Sequence, residues 1–333
     1  MTVAIDTLPE ASTRAAAADG HDLTLVIALG GNAILRRGDD GTIEQQLTRS
    51  DAAMGHIARL VGAGRRVALT HGNGPVVGNI VIRNESARDS VTPMPLYIAG
   101  ADSEGGLGFM LQLSLANALW MQGVTNPVAT IITETVVDAA DPAFSRPTKP
   151  IGPYYDAEHV SVLHEREPSW TFVEVPGQGW RRGVASPRPL RVVQAPVVAR
   201  LLADGMVAIA AGGGGVPVTE APDGQLHGID AVIDKDWASA MLAYQIEADV
   251  LVILMESDRV HLDWGLPSQC AVDRLSPAEA QELLASGALD EGSIAPKVAA
   301  SAWFAARTGR TAIICRVEDL DDALEGRAGT RIG

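Results

Sequence analysis

Three lysines, Lys149, Lys235 and Lys297, stand among 23 arginines in this chain of 333 residues. Arginine fills almost every basic position, so a site that keeps lysine is one where a compact ammonium works and a planar guanidinium fork does not. Such a point charge can follow a phosphoryl group as it passes from one oxygen to another. Lys149 lies in RPTKPIGPYY, Lys235 in VIDKDWASAM at a helix start, and Lys297 in GSIAPKVAAS, also near a helix start. A lone lysine is ordinarily a solvated surface charge. Three scarce ones beside Gly, Pro and Asp turns point to anion chemistry.

Glycine turns supply the matching backbone. Gly30, Gly31 and Asn32 follow an apolar run, where bare backbone can turn sharply and aim N–H groups at an anion. Alone, a glycine pair there reads as a plain strand-to-helix turn. The segment THGNGPVVGN places His71, Gly72, Asn73 and Gly74 before Pro75, a residue suited to a first helical turn. In open α/β sheets ligands bind at the carboxyl ends of strands, which makes this a candidate site; His71 alone is equally a capping group. Gly212 to Gly215 repeat the arrangement, and four glycines in a row carry an entropic cost that close approach of a phosphate would justify. Neither GxxxxGK[ST] nor GxGxxG occurs, so a P-loop or dinucleotide fold is not supported.

The elements that must position these residues are legible as apolar runs at Leu23 to Leu29, Arg66 to Thr70, Val128 to Ile132, Met206 to Ala211, Val250 to Leu254 and Thr311 to Cys315. Helical periodicity between them, as in Glu44 to Val61 and Ser103 to Gln122, predicts an α/β sandwich with a mainly parallel sheet covered on both faces. From Asp141 to Pro189 the rhythm breaks into a proline- and tryptophan-containing stretch expected to form an inserted subdomain or lid. The net charge of -15 argues against a nucleic-acid partner. Cys270 and Cys315 are too few for a disulfide framework or a CxxC metal site, which suits a reducing, cytoplasmic compartment. No secretion signal or membrane span is expected, and residues 1–21 read as a frayed tail.

Together these segments resemble carbamate kinase, a branch of the amino-acid-kinase superfamily. ALGGNAIL, THGNGPVVGN, DPAFSRPTKPIGPYY, GWRR, GGGGVPV, VIDKD and GTRI follow the family's order from about Leu23 to the C-terminus. The resemblance implies a three-layer αβα sandwich around a mainly parallel sheet of about eight strands, one domain over 22–333. It implies a substrate lobe over about 22–205, a protruding subdomain over about 136–185, a nucleotide lobe over about 206–333, and a homodimer. The implied reaction moves a phosphoryl group between carbamoyl phosphate and ADP, giving carbamate and ATP, with magnesium. By residue, Gly30, Gly31 and Asn32 resemble the loop for the transferred phosphate, and His71, Gly72, Asn73, Gly74, Gly213, Gly214 and Gly215 the carbamate pocket. Lys149, Lys235, Lys297 and Asp236 match the catalytic group, with Asp236 as the ion-pair anchor. Gly212, Asp234, Met255, Asp258 and His261 fall on the nucleotide side, and no metal-binding side chain is assigned.

Three segments depart from the family pattern. LMESDRVH, from Leu254 to His261, replaces the usual LTDVDGVY and keeps Asp258. Asp102, Glu104 and Gly106 replace Met, Gln and Met, so that two added carboxylates either face solvent at a helix start or signal a different small substrate. Ile294 and Ala295 replace Met and Gly. The alternatives are a relative acting on another small carboxylate or phosphate donor, and a non-catalytic phosphate-binding regulator.

Overall fold

The computed structural model describes residues 23–31, 34, 41–290 and 293–333. The expected tail and Asn32 lie outside the described residues.

The strand Thr24–Leu29 is buried at every position, as a strand flanked on both edges and covered on both faces must be. Its side chains alternate between two cores. Leu25, Ile27 and Leu29 pack with Ile57, Leu111 and Leu115 on one face. Val26 and Ala28 pack with Leu242, Val298 and Phe304 on the other. That alternation makes the middle of a three-layer sandwich.

The main sheet has eight strands, in the order Arg274–Leu275, Thr330–Ile332, Thr311–Cys315, Val250–Leu254, Thr24–Leu29, Arg66–His71, Val207–Ile209, Val128–Thr130. All neighbours are parallel except Thr311–Cys315 with Thr330–Ile332. Strands from the first part of the chain through Val207–Ile209 lie on one side of Thr24–Leu29, and later strands lie on the other. The first strand is therefore a topological switch point, and the crevice beside its carboxyl end is where a ligand fits.

Caps fix the helices that cover this sheet. Thr42 accepts from Gln45 N at the start of helix Ile43–Gly62, and Ser276 and Glu279 close a capping box on helix Pro277–Ser286. Asp234 caps helix Lys235–Gln245 by accepting from Asp236 N at 2.9 Å.

The chain also builds smaller sheets of three and four strands, the first of them within the 141–189 stretch where an inserted subdomain or lid was expected. Lys149–Tyr155, Gly179–Val184 and Thr171–Val175 pair antiparallel into one, with helix Ala157–Arg166 between the first two strands in sequence. Leu226–Gly228, Val216–Glu220, Glu134–Val137 and Pro189–Val192 make the other. The latter is short and in part proline-led, which hides its period from sequence.

Candidate active site

Three turns meet at the carboxyl edge of the main sheet. Gly30 and Gly31 follow Thr24–Leu29, and Gly72 and Asn73 follow Arg66–His71, with helix Gly74–Ser86 starting behind them on Pro75. A methyl group on Gly72 would lie 3.0 Å from Gly31 N and 3.3 Å from Lys235 Cδ, so these two turns and a lysine stem are in contact. The third turn begins at Ala211, which is left-handed at φ 50°, and runs through Gly212 to Gly215. Gly213 has φ 64°, and any Cβ there would collide with the side chain of Asn73. Only glycine satisfies both demands.

Lys235 and Lys297 arrive from two helices, Lys235–Gln245 and Ile294–Thr308, and both ammonium groups bond the Asp236 carboxylate. Lys297 Nζ lies 3.0 Å from Oδ2, while Lys235 Nζ bonds Oδ1. Burial raises the Asp236 carboxyl, but the two lysines outweigh it and hold the group below the usual range. Burial lowers Lys235, with Asp236 opposing and Lys297 reinforcing. Lys149, at the start of the outlying three-stranded sheet, reaches Asp234 Oδ2 at 3.7 Å and remains half exposed. All three lysines thus converge on the segment Asp234–Asp236. Ammonium groups gathered near bare glycine backbone have the chemistry that phosphate oxygens require.

His71 is completely buried. Its Nδ1 lies 3.2 Å from Gly72 O and its Nε2 has no hydrogen-bond partner. Burial holds its pKa down at about 4, so it is neutral near pH 7. Sealed in this way, the side chain supports the turn, and Asn73 and the backbone are what the segment presents. Gly212, expected on the nucleotide side, donates its N–H to Glu104 Oε1 at 2.9 Å, so that donor is already engaged within the chain.

The matches to known proteins agree with this arrangement. The amino acid kinase family matches residues 24–316, and the carbamate kinase of Thermococcus kodakarensis is 41% identical over 311 residues, 92% of this chain and 98% of that protein. The chain belongs to the amino acid kinase family, on its carbamate kinase branch. A carbamate kinase-like protein of Escherichia coli is 40% identical over 310 residues, covering 92% of this chain and 98% of its own. The structure of carbamate kinase from Giardia lamblia bound to AMP-PNP overlays with a TM-score of 0.89 at 36% identity, covering 93% of this chain and 98% of that one. Like other members of the amino acid kinase family, the chain is a phosphotransferase.

On the edge of Thr24–Leu29 opposite Arg66–His71, this carbamate kinase branch member carries the altered LMESDRVH segment after Val250–Leu254. Met255 packs partly buried against a core, and its N–H bonds Cys315 O at 2.9 Å. Asp258 receives Arg259 Nε at 3.1 Å and lies 3.7 Å from His261 Nε2. His261 stacks edge-on against Trp264 with ring centroids 5.3 Å apart, and Trp264 is exposed. Gly30 touches this side, because a Cβ on it would sit 3.4 Å from Leu254 O. Glu104, flagged by sequence only as a departure, is not at a helix start: the helix begins at Leu96, Asp102 is exposed, and Glu104 is 1% exposed. Thr133 and Ser103 were missed, and the threonines just past an apolar run in ATIITETVV were the available signal. Arg188 was missed too; its guanidinium stacks 3.3 Å from the Trp237 ring centroid, and burial lowers its pKa. Among the described residues no group of three His, Cys, Asp or Glu side chains is arranged to hold a metal.

Proposed function

We propose that this phosphotransferase moves a phosphoryl group reversibly between carbamoyl phosphate and ADP, giving carbamate and ATP. The observation that carries the reading is the pair Lys235 and Lys297 clamped on buried Asp236, directly behind the contact between Gly31 and Gly72. In the ATP-forming direction a β-phosphate oxygen of ADP bonds to phosphorus while the bond from phosphorus to the carbamoyl oxygen breaks, and carbamate leaves with the electron pair. No proton changes hands, so no general base is needed. The residues then have one task, to position and neutralise the charge that spreads over the phosphoryl oxygens. Gly30, Gly31 and Gly72 offer backbone, Lys235 and Lys297 offer charge, and Lys149 adds charge from the outlying sheet. Asp236 keeps the two helix-borne ammonium groups aimed. In this reading the small substrate sits against Asn73 and Gly213 to Gly215, and the nucleotide against Asp234, Met255, Asp258 and His261.

Magnesium would come with the nucleotide, supplying charge neutralisation between phosphates. Both Asp236 oxygens are engaged by lysine, so phosphate oxygens and water would hold the ion. The lobe division near residue 205 is supported by the switch point at Thr24–Leu29. A homodimer is supported by one stripe of the helix Leu96–Met121, where Ile98, Phe109, Leu113 and Trp120 are exposed at spacings that share a face. Cytoplasmic residence is supported by two free cysteines, one buried with its thiol pushed up to about 12; no described helix is long and apolar enough to cross a membrane.

A different small carboxylate was suggested by Asp102 and Glu104. With Asp102 in solvent and Glu104 bonded to Thr133 and Gly212, that motive falls away. Following ATP formed from carbamoyl phosphate and ADP tests the proposal. Turnover supports it; tight ADP binding without turnover marks a regulator and refutes it.

A further inference from the structure

Two neighbouring residues of the helix Leu96–Met121 reach different glycine turns. Ser103 Oγ accepts from Asn73 Nδ2 at 2.7 Å and donates to Gly100 O at 2.7 Å, which holds the turn after Arg66–His71. Glu104 Oε1 accepts from Thr133 Oγ1 at 2.6 Å and from Gly212 N at 2.9 Å, and Oε2 faces Thr133 N at 3.3 Å. Thr133 Oγ1 in turn accepts from Ala211 N at 2.8 Å. The left-handed alanine and the first glycine of the run are therefore both tied to one buried carboxylate. A non-glycine residue in that region carries roughly 1–3 kcal/mol of strain and persists only where its surroundings over-determine it. Glu104 and Thr133 provide that over-determination.

The packing leaves no slack. A Cβ on Gly212 would fall between the His71 ring and Glu104 Cγ, and a Cβ on Gly213 would strike Asn73. Moving Glu104 therefore moves Gly212 relative to His71, and Gly213 relative to Asn73.

We infer that Glu104 is a positioning residue: with Ser103 beside it, it sets the gap between the His71–Gly74 turn and the Gly212–Gly215 turn, acting through Gly212 without touching substrate. The inference rests on the assignment of those turns to the small substrate. Three donors on two oxygens suit a carboxylate. An amide would keep Oε1 for Thr133 Oγ1 and Gly212 while turning an NH₂ toward Thr133 N.

Glu104→Ala, Glu104→Gln and Thr133→Val test this with two readouts. In the ATP-forming assay, Glu104→Ala is expected to raise KM for carbamoyl phosphate about tenfold, the equivalent of one lost buried hydrogen bond, and to leave KM for ADP within about twofold. Glu104→Gln recovers most of the loss because it retains the Oε1 bonds, and Thr133→Val repeats the defect from the other partner. Equal rises in both KM values, or none, overturn the inference. The second readout is amide hydrogen exchange over 211–215 in the ligand-free protein. Glu104→Ala should speed it, and an unchanged rate overturns the inference. Should the unaltered protein show no turnover, the assigned reaction fails by itself, and the exchange measurement still decides the role of Glu104.

Discussion

Replacing Lys235 should cost turnover with little stability, whereas replacing Asp236 should cost stability outright. Asp236 is 3% exposed and carries two ammonium groups. Asp236→Asn keeps the shape and removes the charge, leaving Lys235 and Lys297 as neighbouring, partly buried cations without a counter-ion. Breaking a buried ion pair in this way costs roughly 3–5 kcal/mol. Lys235→Ala leaves Asp236 bonded to Lys297 at 3.0 Å. It also removes the burial cost of Lys235 and the repulsion between the lysines, both of which lower the Lys235 pKa. The stability loss should therefore be about 1 kcal/mol or less, on the scale of an ordinary non-core substitution. Turnover of Lys235→Ala should nevertheless fall steeply, because a cation lost from the transition state costs about 10²-fold, by analogy with oxyanion donors. Urea unfolding gives the stabilities, and an assay that consumes the newly formed ATP gives the rates. If Lys235→Ala destabilises the protein as much as Asp236→Asn, or turns over within threefold of the unaltered chain, the assigned role of Lys235 is wrong.

Acid titration separates two buried groups with opposing effects. Burial pushes Glu104 up to about 7, so the folded protein keeps a proton that the unfolded chain releases, and stability falls as pH rises from about 4.5 to 7. Burial pushes His71 down to about 4, so the unfolded chain takes a proton that the folded protein refuses, and stability rises with pH from about 4 to 6.5. Each effect is worth about 3 kcal/mol at full extent, and they cancel over most of their shared window. Glu104→Gln should unmask His71 and steepen the loss of stability below pH 6.5; parallel unfolding curves for the two proteins would rule this out. Gly213→Ala should cost at least about 1 kcal/mol from its positive φ and more from the clash with Asn73, with KM for carbamoyl phosphate rising before KM for ADP. Phe109→Glu with Trp120→Glu should give a monomer by light scattering if the helix Leu96–Met121 forms the dimer face, and an unchanged mass would refute that placement.

The layered fold was legible because its central strands are unbroken apolar runs, a pattern that only a sheet covered on both sides explains. Thr24–Leu29 and Thr311–Cys315 stand within a residue of where the sequence places them. Val128–Thr130 and Val207–Ile209 are shorter than their apolar runs: Ala210 N and Ile131 N still bond Leu69 O and Ile209 O, and beyond them Ala211 turns left-handed into the glycine run. The lysine cluster was legible through the scarcity of lysine, the turns beside each one, and the family resemblance that pairs Lys235 and Lys297 with Asp236. What stayed hidden was interior polarity. Glu104 reads as a charge on an otherwise apolar helix, and nothing in its neighbours announces that Thr133 and Gly212, 29 and 108 residues away, supply its hydrogen bonds. Long-range partners of a single buried carboxylate leave no period in the sequence.

The position of Thr24–Leu29 has a mechanical consequence. Its two edges are hydrogen-bonded to strands from opposite parts of the chain, in register over four residues on one side and six on the other. The two halves of the main sheet are thus welded along one seam and cannot swing apart without tearing its middle. Lys149 is carried by a separate three-stranded sheet, so a shift of that sheet would carry its charge toward or away from Asp234 without breaking a hydrogen bond of the central ladder.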